Sequence, residues 1–112
     1  MGYLIYGPGA EYEIDDRTLS HLKIAVVAKL RLQESFLINW AVPSDLGSGR
    51  VSLWISPYIP IRFRFARSQP PELNRVWLEA MAVSSHGQRG LVVMPEAEAE
   101  GFLRRAAVHE AV

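Results

Sequence analysis

Residues 50–65, RVSLWISPYIPIRFRF, decide the fold, because apolar and polar side chains alternate on both sides of a short interruption. Successive side chains of a β-strand point to opposite faces of its sheet, so a period of two predicts strands. The interruption at 57–60 contains two prolines, and a proline cannot donate to a strand ladder. We therefore predict two strands with these side chains facing the core: Val51, Leu53, Ile55, Ile61, Phe63 and Phe65.

The other members of the same alternation point away from the core and define a candidate binding surface. Consecutive strands with short connections usually pair, so we expect these two strands to lie side by side. Three interpretations are open: arginine stems that cover the back of the sheet, a protein interface that includes self-association, or a nucleic-acid site. The candidate residues are Trp54, Arg62 and Arg64 at the centre, with Arg50, Tyr58 and Arg67 at the margins.

The segments before this stretch predict a hairpin, a helix and a further strand. Short β-prone runs at 4–6 and 12–14 flank a Gly-Pro-Gly turn. Two aspartates, typical of a helix N-cap, precede apolar residues at helical spacing, so a helix is expected at residues 17–33. Alternation from 36 to 42 predicts a strand, which we expect to form an antiparallel meander with the two strands of 50–65.

The segments after this stretch predict two more helices and a last strand. Residues 68–71 carry two prolines, and we expect them in the first turn of a helix with one apolar stripe. Residues 91–94 are apolar without alternation, which is typical of a central strand covered on both faces. Pro95 then opens a C-terminal helix with glutamates near its start.

The fold prediction is α+β, with the element order β-β-α-β-β-β-α-β-α. It comprises a mostly antiparallel sheet of about five to six strands, two main helices on one face and a C-terminal helix. A chain of 112 residues is the size of one domain. We assign residues 1–95 to a single α+β domain and residues 96–112 to a C-terminal helix or tail.

Composition and motifs argue against the common kinds of reaction centre. The chain has no cysteine and a net charge of zero, which excludes thiolate chemistry and does not indicate a strongly basic nucleic-acid binder. Its three histidines are isolated, with His21 expected to be solvated or partly packed, and no metal-binding motif occurs. Paired carboxylates fall at helix starts, where the helix dipole accounts for them. We predict no catalytic residue, no cofactor and no metal site.

The N-terminal sequence favours a cytoplasmic protein. Residues 1–6 run into the Gly-Pro-Gly turn without the basic region and apolar core of a signal peptide. No stretch approaches the ~18 apolar residues of a membrane span, so no membrane partner is expected.

Several segments resemble a family of small, uncharacterised single-domain actinobacterial proteins. They are LIYG, YEIDDRTLSHLKIAVVAKLRLQESF with Trp40, GSGRVSLWISPYIPIRFRF and PPELNRVWLEAM, and the likeness covers residues 1–95. Members are often catalogued as ATP-dependent DNA ligases. A ligase of that type uses a lysine in a KxDG motif, and neither Lys23 nor Lys29 is followed by that pattern. The resemblance therefore implies a cytoplasmic actinobacterial protein, and it implies no catalytic residue.

Together these observations favour a non-enzymatic interaction domain that associates with itself or with a protein partner through a face or an edge of its sheet. The alternative is an accessory nucleic-acid-binding domain that uses Trp54, Arg62 and Arg64. Such a site offers only about two or three phosphate contacts, which is few for strong binding. An enzyme of unknown class is a third hypothesis.

Overall fold

The computed structural model describes residues 1–43 and 45–111, with side chains described to residue 108. In chain order the elements are β1 (Gly2–Tyr6), β2 (Ala10–Ile14), α1 (Asp16–Arg31), β3 (Phe36–Ala41), β4 (Arg50–Ile55), β5 (Ile61–Arg64), α2 (Arg75–Ser84), β6 (Leu91–Val92), a 3-10 turn (Glu96–Glu98) and α3 (Ala99–Ala111). This order and the α+β class confirm the prediction. Val112, in the predicted tail, and the side chain of His109 lie outside the described part.

The first sheet, sheet A, has the strand order β2-β1-β5 and is built on the N-terminal hairpin. β1 pairs antiparallel with β2 through a turn in which Gly7 has a φ of 65°, a conformation that glycine adopts at little steric cost. β5 pairs antiparallel with the other side of β1. The inner face of sheet A contributes Leu4, Tyr6 and Ile14 to the core.

The second sheet, sheet B, has the strand order β4-β3-β6. β3 pairs antiparallel with β4 and parallel with β6. Phe36, Ile38 and Trp40 of β3 are buried. The ring of Trp40 meets the ring of Tyr12 of sheet A edge-on, with 5.5 Å between centroids. The inner faces of the two sheets therefore share one core.

The meander predicted for residues 36–65 is wrong, because β5 leaves β4 and joins β1. The connection between β4 and β5 is bound to the hairpin at both of its ends. Ser56 N–H donates to the Tyr6 hydroxyl at 2.7 Å, and Gly7 N–H donates to the Pro60 carbonyl, just before β5, at 2.9 Å. Alternation fixes the face to which a side chain points but not the neighbouring strand, so the sequence did not reveal this pairing.

The central strand predicted at residues 91–94 is also wrong. β6 is a strand of two residues at the edge of sheet B. Its outer side is closed by α2, because Val92 N–H donates to the Ser84 hydroxyl at 2.9 Å. Leu91 and Met94 are nevertheless buried. The apolar character of residues 91–94 therefore results from burial beneath a helix and not from a position between two other strands.

α1 carries one apolar stripe that packs against β1 and α2. Asp15 caps its N-terminus, as predicted, by accepting a hydrogen bond from Thr18 N–H at 3.0 Å. Leu19, Leu22 and Val26 are fully buried. The helix ends slightly earlier than predicted, at Arg31.

α2 begins later than predicted, so the two prolines lie outside its first turn. Residues 70 and 71 belong to the segment before the helix, and Asn74 is the N-cap. The Asn74 side-chain oxygen accepts from Val76 N–H at 3.0 Å. A proline disfavours helical geometry in the residue before it, whereas asparagine satisfies the free amides of a first turn. The helix therefore starts only after both prolines.

His21 is fully buried, contrary to the expectation of a solvated or partly packed side chain. Its Nδ1 lies 2.7 Å from the Arg17 carbonyl oxygen, and its Nε2 accepts from Asn74 N–H at 2.9 Å. The ring also stacks on Trp77, with centroids 4.5 Å apart. In this arrangement Nδ1 carries the proton, and the neutral ring joins α1 to the start of α2.

Candidate functional site

The alternation predicted for residues 50–65 is confirmed, and it places the candidate residues at the surface. Trp54 is 59% exposed, and Tyr58, in the turn between β4 and β5, is 90% exposed. All the candidate residues are exposed: Arg50, Trp54, Tyr58, Arg62, Arg64 and Arg67.

These residues do not form the single surface that the sequence predicted. Trp54 lies on β4 of sheet B, where its cross-strand neighbour is Leu37 of β3. Arg62 and Arg64 lie on β5 of sheet A, opposite residues of β1. Because β4 and β5 belong to different sheets, the predicted side-by-side arrangement is wrong.

The outer face of sheet A is covered by its own side chains. The Arg64 guanidinium lies 4.8 Å from the centroid of the Tyr3 ring and 3.6 Å from the Glu11 carboxylate. Ile5 is on the same outer face, between Glu11 and Arg62 in the strand register, and is only 5% exposed. Long charged side chains can shield apolar surface with their stems. This face therefore matches the reading in which arginine stems cover the back of a sheet.

A groove of 330 Å³ runs between α1 and the segment after β5. Lys23 Nζ lies 5.6 Å from the centroid of the Phe65 ring on one side of this groove. The Asp16 carboxylate accepts from Ala66 N–H and from the N–H of Arg67, a residue that lines the groove, both at 3.0 Å. The hydrogen bond from Ala66 is the main cause that holds the pKa of Asp16 below its ordinary value. Asp16 therefore anchors the end of sheet A to α1, in addition to its favourable position at the N-terminus of the helix.

Glu96 has a similar connecting role at the same N-terminal end of α1. Its carboxylate accepts from Arg17 Nε at 2.8 Å and Nη2 at 2.7 Å, and from Asn74 Nδ2 at 2.9 Å. The hydrogen bonds from Arg17, followed by that from Asn74, lower the pKa of Glu96 to about 2. The same pairing raises the pKa of Arg17. These contacts join α1, α2 and the turn before α3, so the helix dipole alone does not account for Glu96.

The polar groups that a catalytic reading would use have structural partners. The Ser84 hydroxyl donates to the Met81 carbonyl at 2.7 Å while it accepts from β6. Lys29 Nζ lies 3.4 Å from the Glu34 carboxylate, and Lys23 lies over an aromatic ring. Among the side chains of residues 1–43 and 45–108, no three His, Asp or Glu groups converge as metal ligands would.

The outer face of sheet B is open, and it contains Trp54. The Ser52 hydroxyl donates to Asn39 Oδ1, and Asn39 Nδ2 donates to the Arg89 carbonyl, which fixes the middle of this face. The alternation predicts which residues of one strand share a face, but only the strand register shows which residues of neighbouring strands lie side by side. The register gives the cross-strand pairs Ala41–Arg50, Asn39–Ser52 and Leu37–Trp54.

The backbone of β4 has a free edge, and a hydrogen bond at its start shows which groups face it. Val42 N–H donates to the Gly49 carbonyl at 2.8 Å, in register with the β3–β4 ladder. Hydrogen-bonded and non-hydrogen-bonded pairs alternate in an antiparallel ladder, so the odd-numbered residues of β4 bond to β3. The backbone N–H and C=O groups of Arg50, Ser52 and Trp54 therefore point away from β3.

A second hydrogen bond supports this assignment. The Asn39 carbonyl accepts from Val93 N–H at 2.9 Å on the β6 side of β3, so Asn39 and its partner Ser52 form a non-hydrogen-bonded pair. Among the described residues, no loop or side-chain hydrogen bond reaches the backbone of Arg50, Ser52 or Trp54. β4 thus presents free backbone groups and an exposed tryptophan together.

A larger apolar groove of 990 Å³ lies between the end of α2, β6 and α3, with Phe102 and Val108 on one wall. Arg89 and Arg105 border it. None of the helices in the described part of the chain has both the length and the apolar character needed to cross a bilayer.

Comparisons with known proteins identify a family but no function. No curated protein and no solved structure matches the chain significantly. A family model covers residues 1–96. This range includes strands β1 to β6 and helices α1 and α2, and its last residue is Glu96, which binds Arg17. Because this model covers most of the chain, the protein belongs to the family described as a domain of unknown function, DUF7882.

Proposed function

We propose that this chain is a non-enzymatic interaction domain that associates with another protein chain through sheet B, and that it associates in particular with itself. The observation that carries the proposal is the exposure of Trp54, 59%, on an edge strand whose outer backbone groups have no hydrogen-bond partner among the described residues. An exposed edge strand is a template for pairing with another chain. Tryptophan and arginine are the side chains most often found at the energetic centre of protein interfaces.

The chemistry of β4 suits this mode of binding. Addition of a strand to a sheet edge obtains affinity from main-chain hydrogen bonds and specificity from alternate side chains. Arg50 and Trp54 are alternate side chains on the outer face, at the two ends of the unpaired edge. The net charge of zero adds little repulsion between copies.

Light scattering during size-exclusion chromatography, over a range of protein concentrations, tests the proposal. We expect a dimer that dissociates on dilution and that Trp54→Ala weakens. The matched control is Leu32→Ala, because Leu32 is 70% exposed at the end of α1 and lies outside sheet B. A strict monomer at millimolar concentration, or equal weakening by both variants, would contradict the proposal.

The alternative of an accessory nucleic-acid-binding domain has less support. Trp54 and the arginines of β5 lie on separate sheets, and Arg64 is already engaged by Tyr3 and Glu11. Titration with short single-stranded DNA and RNA at several salt concentrations tests it. Salt-sensitive binding that the pair Arg62→Ala and Arg64→Ala abolishes would favour the alternative over the interaction domain.

The ligase activity attached to the resembling family, and the cytoplasmic location, are separate questions. The two lysines are held on α1 by an aromatic ring and a carboxylate, which supports a protein that does not react with ATP. Incubation with radiolabelled ATP should leave the chain unlabelled, and covalent adenylylation would overturn the non-enzymatic assignment. We place the domain in the cytoplasm on the strength of that resemblance, which cell fractionation tests.

A further inference from the structure

The strand edges of the two sheets differ in how well they could pair with a second copy of themselves. β6 has only two residues, and its outer amide is occupied by Ser84. Pairing of β2 with its copy about its centre would bring Glu11 opposite Glu13, and pairing of β5 would bring arginine opposite arginine. Like charges directly across a strand pair are unfavourable. β4 is the edge without this conflict.

The alternation of β4 restricts the registers in which two copies can pair. Residues opposite each other in an antiparallel pair point to the same face, so a two-fold axis must pass through a residue. An axis at Ser52 sets Ser52 opposite its own copy and Arg50 opposite Trp54 of the second copy. An axis at Leu53 would instead set Ser52 opposite Trp54 of the second copy.

The axis at Ser52 uses the backbone groups of β4 that have no partner among the described residues. Arg50, Ser52 and Trp54 are the residues whose N–H and C=O groups face the free edge, and this register pairs them only with one another. A hydrogen-bonded pair exchanges two bonds, so three such pairs give about six. An axis at Leu53 would pair Arg50 with Ser56, whose N–H already donates to Tyr6.

The same register also matches the side chains. On the outer face each Arg50 would lie beside Trp54 of the second copy, and an arginine beside an indole ring is a favourable cation–π pair. The pair occurs twice because of the symmetry. On the inner face Val51 would meet Leu53 of the second copy, which continues the apolar layer of the sheet.

We propose, in an inference that rests on the proposed function, that a second copy of this chain is the partner of sheet B. The two β4 strands pair antiparallel about a two-fold axis at Ser52, with reciprocal Arg50–Trp54 contacts. The product is one continuous sheet with the strand order β6-β3-β4 followed by β4-β3-β6 of the second copy.

Disulfide trapping tests the register, and the absence of cysteine from the chain gives it a clean background. In a hydrogen-bonded antiparallel pair the Cα atoms are about 5.5 Å apart, the usual separation for a disulfide. Ser52→Cys should form linked dimers on mild oxidation. Leu53→Cys, which reports the other axis, and Arg62→Cys, which reports pairing through β5, should stay unlinked.

Exchange of the two outer side chains tests the contact itself. Trp54→Arg sets arginine against Arg50 of the second copy and should raise the dimer dissociation constant about tenfold. Addition of Arg50→Trp to that variant restores two arginine–tryptophan pairs in the same register and should recover most of the affinity. A general loss of structure would not be rescued in this way.

The outcomes separate the register from the proposed function. A dimer by light scattering in which Leu53→Cys links and Ser52→Cys does not would overturn the axis at Ser52 but leave self-association through β4 intact. Linkage of Arg62→Cys alone would overturn both the register and the choice of sheet B. A monomer at every concentration would overturn self-association altogether.

Discussion

The outer faces of the two sheets differ in exposure, although each contains a strand with the same alternation of apolar and polar residues. On sheet A, Arg64 lies across Tyr3 and reaches Glu11, and Ile5 beneath them is 5% exposed. On sheet B, Trp54 is 59% exposed, beside Leu37 of the neighbouring strand. Both strands alternate in the same way, yet one face is sealed and the other is open.

The difference arises from strand neighbours rather than from the strands themselves. β5 lies in a sheet with the acidic strand β2, and Glu11 of β2 reaches Arg64 of β5 across β1. β4 is an edge strand with β3 as its one sheet neighbour, and β3 offers no charged side chain on its outer face. A sheet face is therefore closed when complementary side chains reach it from a second strand, and an open face marks the surface to test for a partner.

The largest expected effect is on the stability of the sealed face. Ile5→Ala should lower the free energy of unfolding by about 3 kcal/mol, because it removes a buried side chain and leaves a cavity. Trp54→Ala should change it by less than about 0.5 kcal/mol at concentrations where the protein is monomeric, because the ring is largely solvated. Urea unfolding followed by circular dichroism measures both.

Ile59→Ala is the control for this comparison, since Ile59 is 40% exposed and lies outside both sheets. Its effect should resemble that of Trp54→Ala. If Ile5→Ala costs no more than these two variants, the side chains over sheet A do not form a packed layer, and the contrast between the two faces fails.

A smaller effect is expected from the polar contacts that order the open face. Asn39→Ala removes the acceptor of the Ser52 hydroxyl and the donor to the Arg89 carbonyl. Loss of partly exposed hydrogen bonds of this kind should cost about 1 kcal/mol of unfolding free energy, again measured with urea. Ser52→Ala, which removes one of the two bonds, should cost less. A larger loss for Ser52→Ala would show that Asn39 is not the centre of this network.

The sequence predicted the elements of the fold and the facing of their side chains, because both depend on local periodicity. Residues 51–55 and 61–65 alternate as expected, and Asp15 caps α1. The sequence did not predict a strand pairing that depends on a tertiary contact. The hydroxyl of Tyr6 accepts a hydrogen bond from Ser56 N–H just before β5 joins the hairpin, and no local pattern predicts a contact 50 residues away.

For the candidate site, too, the sequence predicted the local property and missed the one that depends on tertiary structure. Exposure of Trp54, Arg62 and Arg64 followed from the period of two, whereas their grouping depended on strand neighbours. Arg50 was placed at the margin of a surface centred on Arg62 and Arg64, but the structure puts it with Trp54 on sheet B. Burial of His21 was missed because its partner Asn74 N–H lies 53 residues away in the sequence.

A still smaller effect is expected from the exposed pair on sheet A. Arg64→Ala should lower the free energy of unfolding by about 0.5 kcal/mol, since an exposed ion pair and an exposed cation–π contact each contribute little. Arg62→Ala, with no ion pair among the described residues, should cost less. Most of the Arg64 effect should disappear in 1 M salt if the Glu11 contact causes it, and persistence in salt would point to the Tyr3 ring.

The most local effect is an acid titration that distinguishes the two sheets. Hydrogen bonds, chiefly from Ala66, hold the pKa of Asp16 below its ordinary value, and Arg17 lowers that of Glu96 to about 2. A carboxylate with a depressed pKa in the folded state stabilises the protein above its ordinary pKa and loses that contribution as the pH falls through the depressed value. The contribution of the Glu96 contacts to stability should therefore be lost as the pH falls from 4.5 to about 2, and that of the Asp16 contacts as the pH falls below 3.8.

Amide chemical shifts recorded by NMR during this titration should move at Ala66 and Arg67, whose N–H groups donate to Asp16. Asp16→Asn keeps an acceptor oxygen but cannot titrate, so it should abolish these movements. The amides of Ser52 and Trp54 should stay constant, because no carboxylate accepts from them among the described residues. Movement at β4 over the same pH range would mean that sheet B is coupled to the carboxylates of α1, and the two faces could not then be treated as independent.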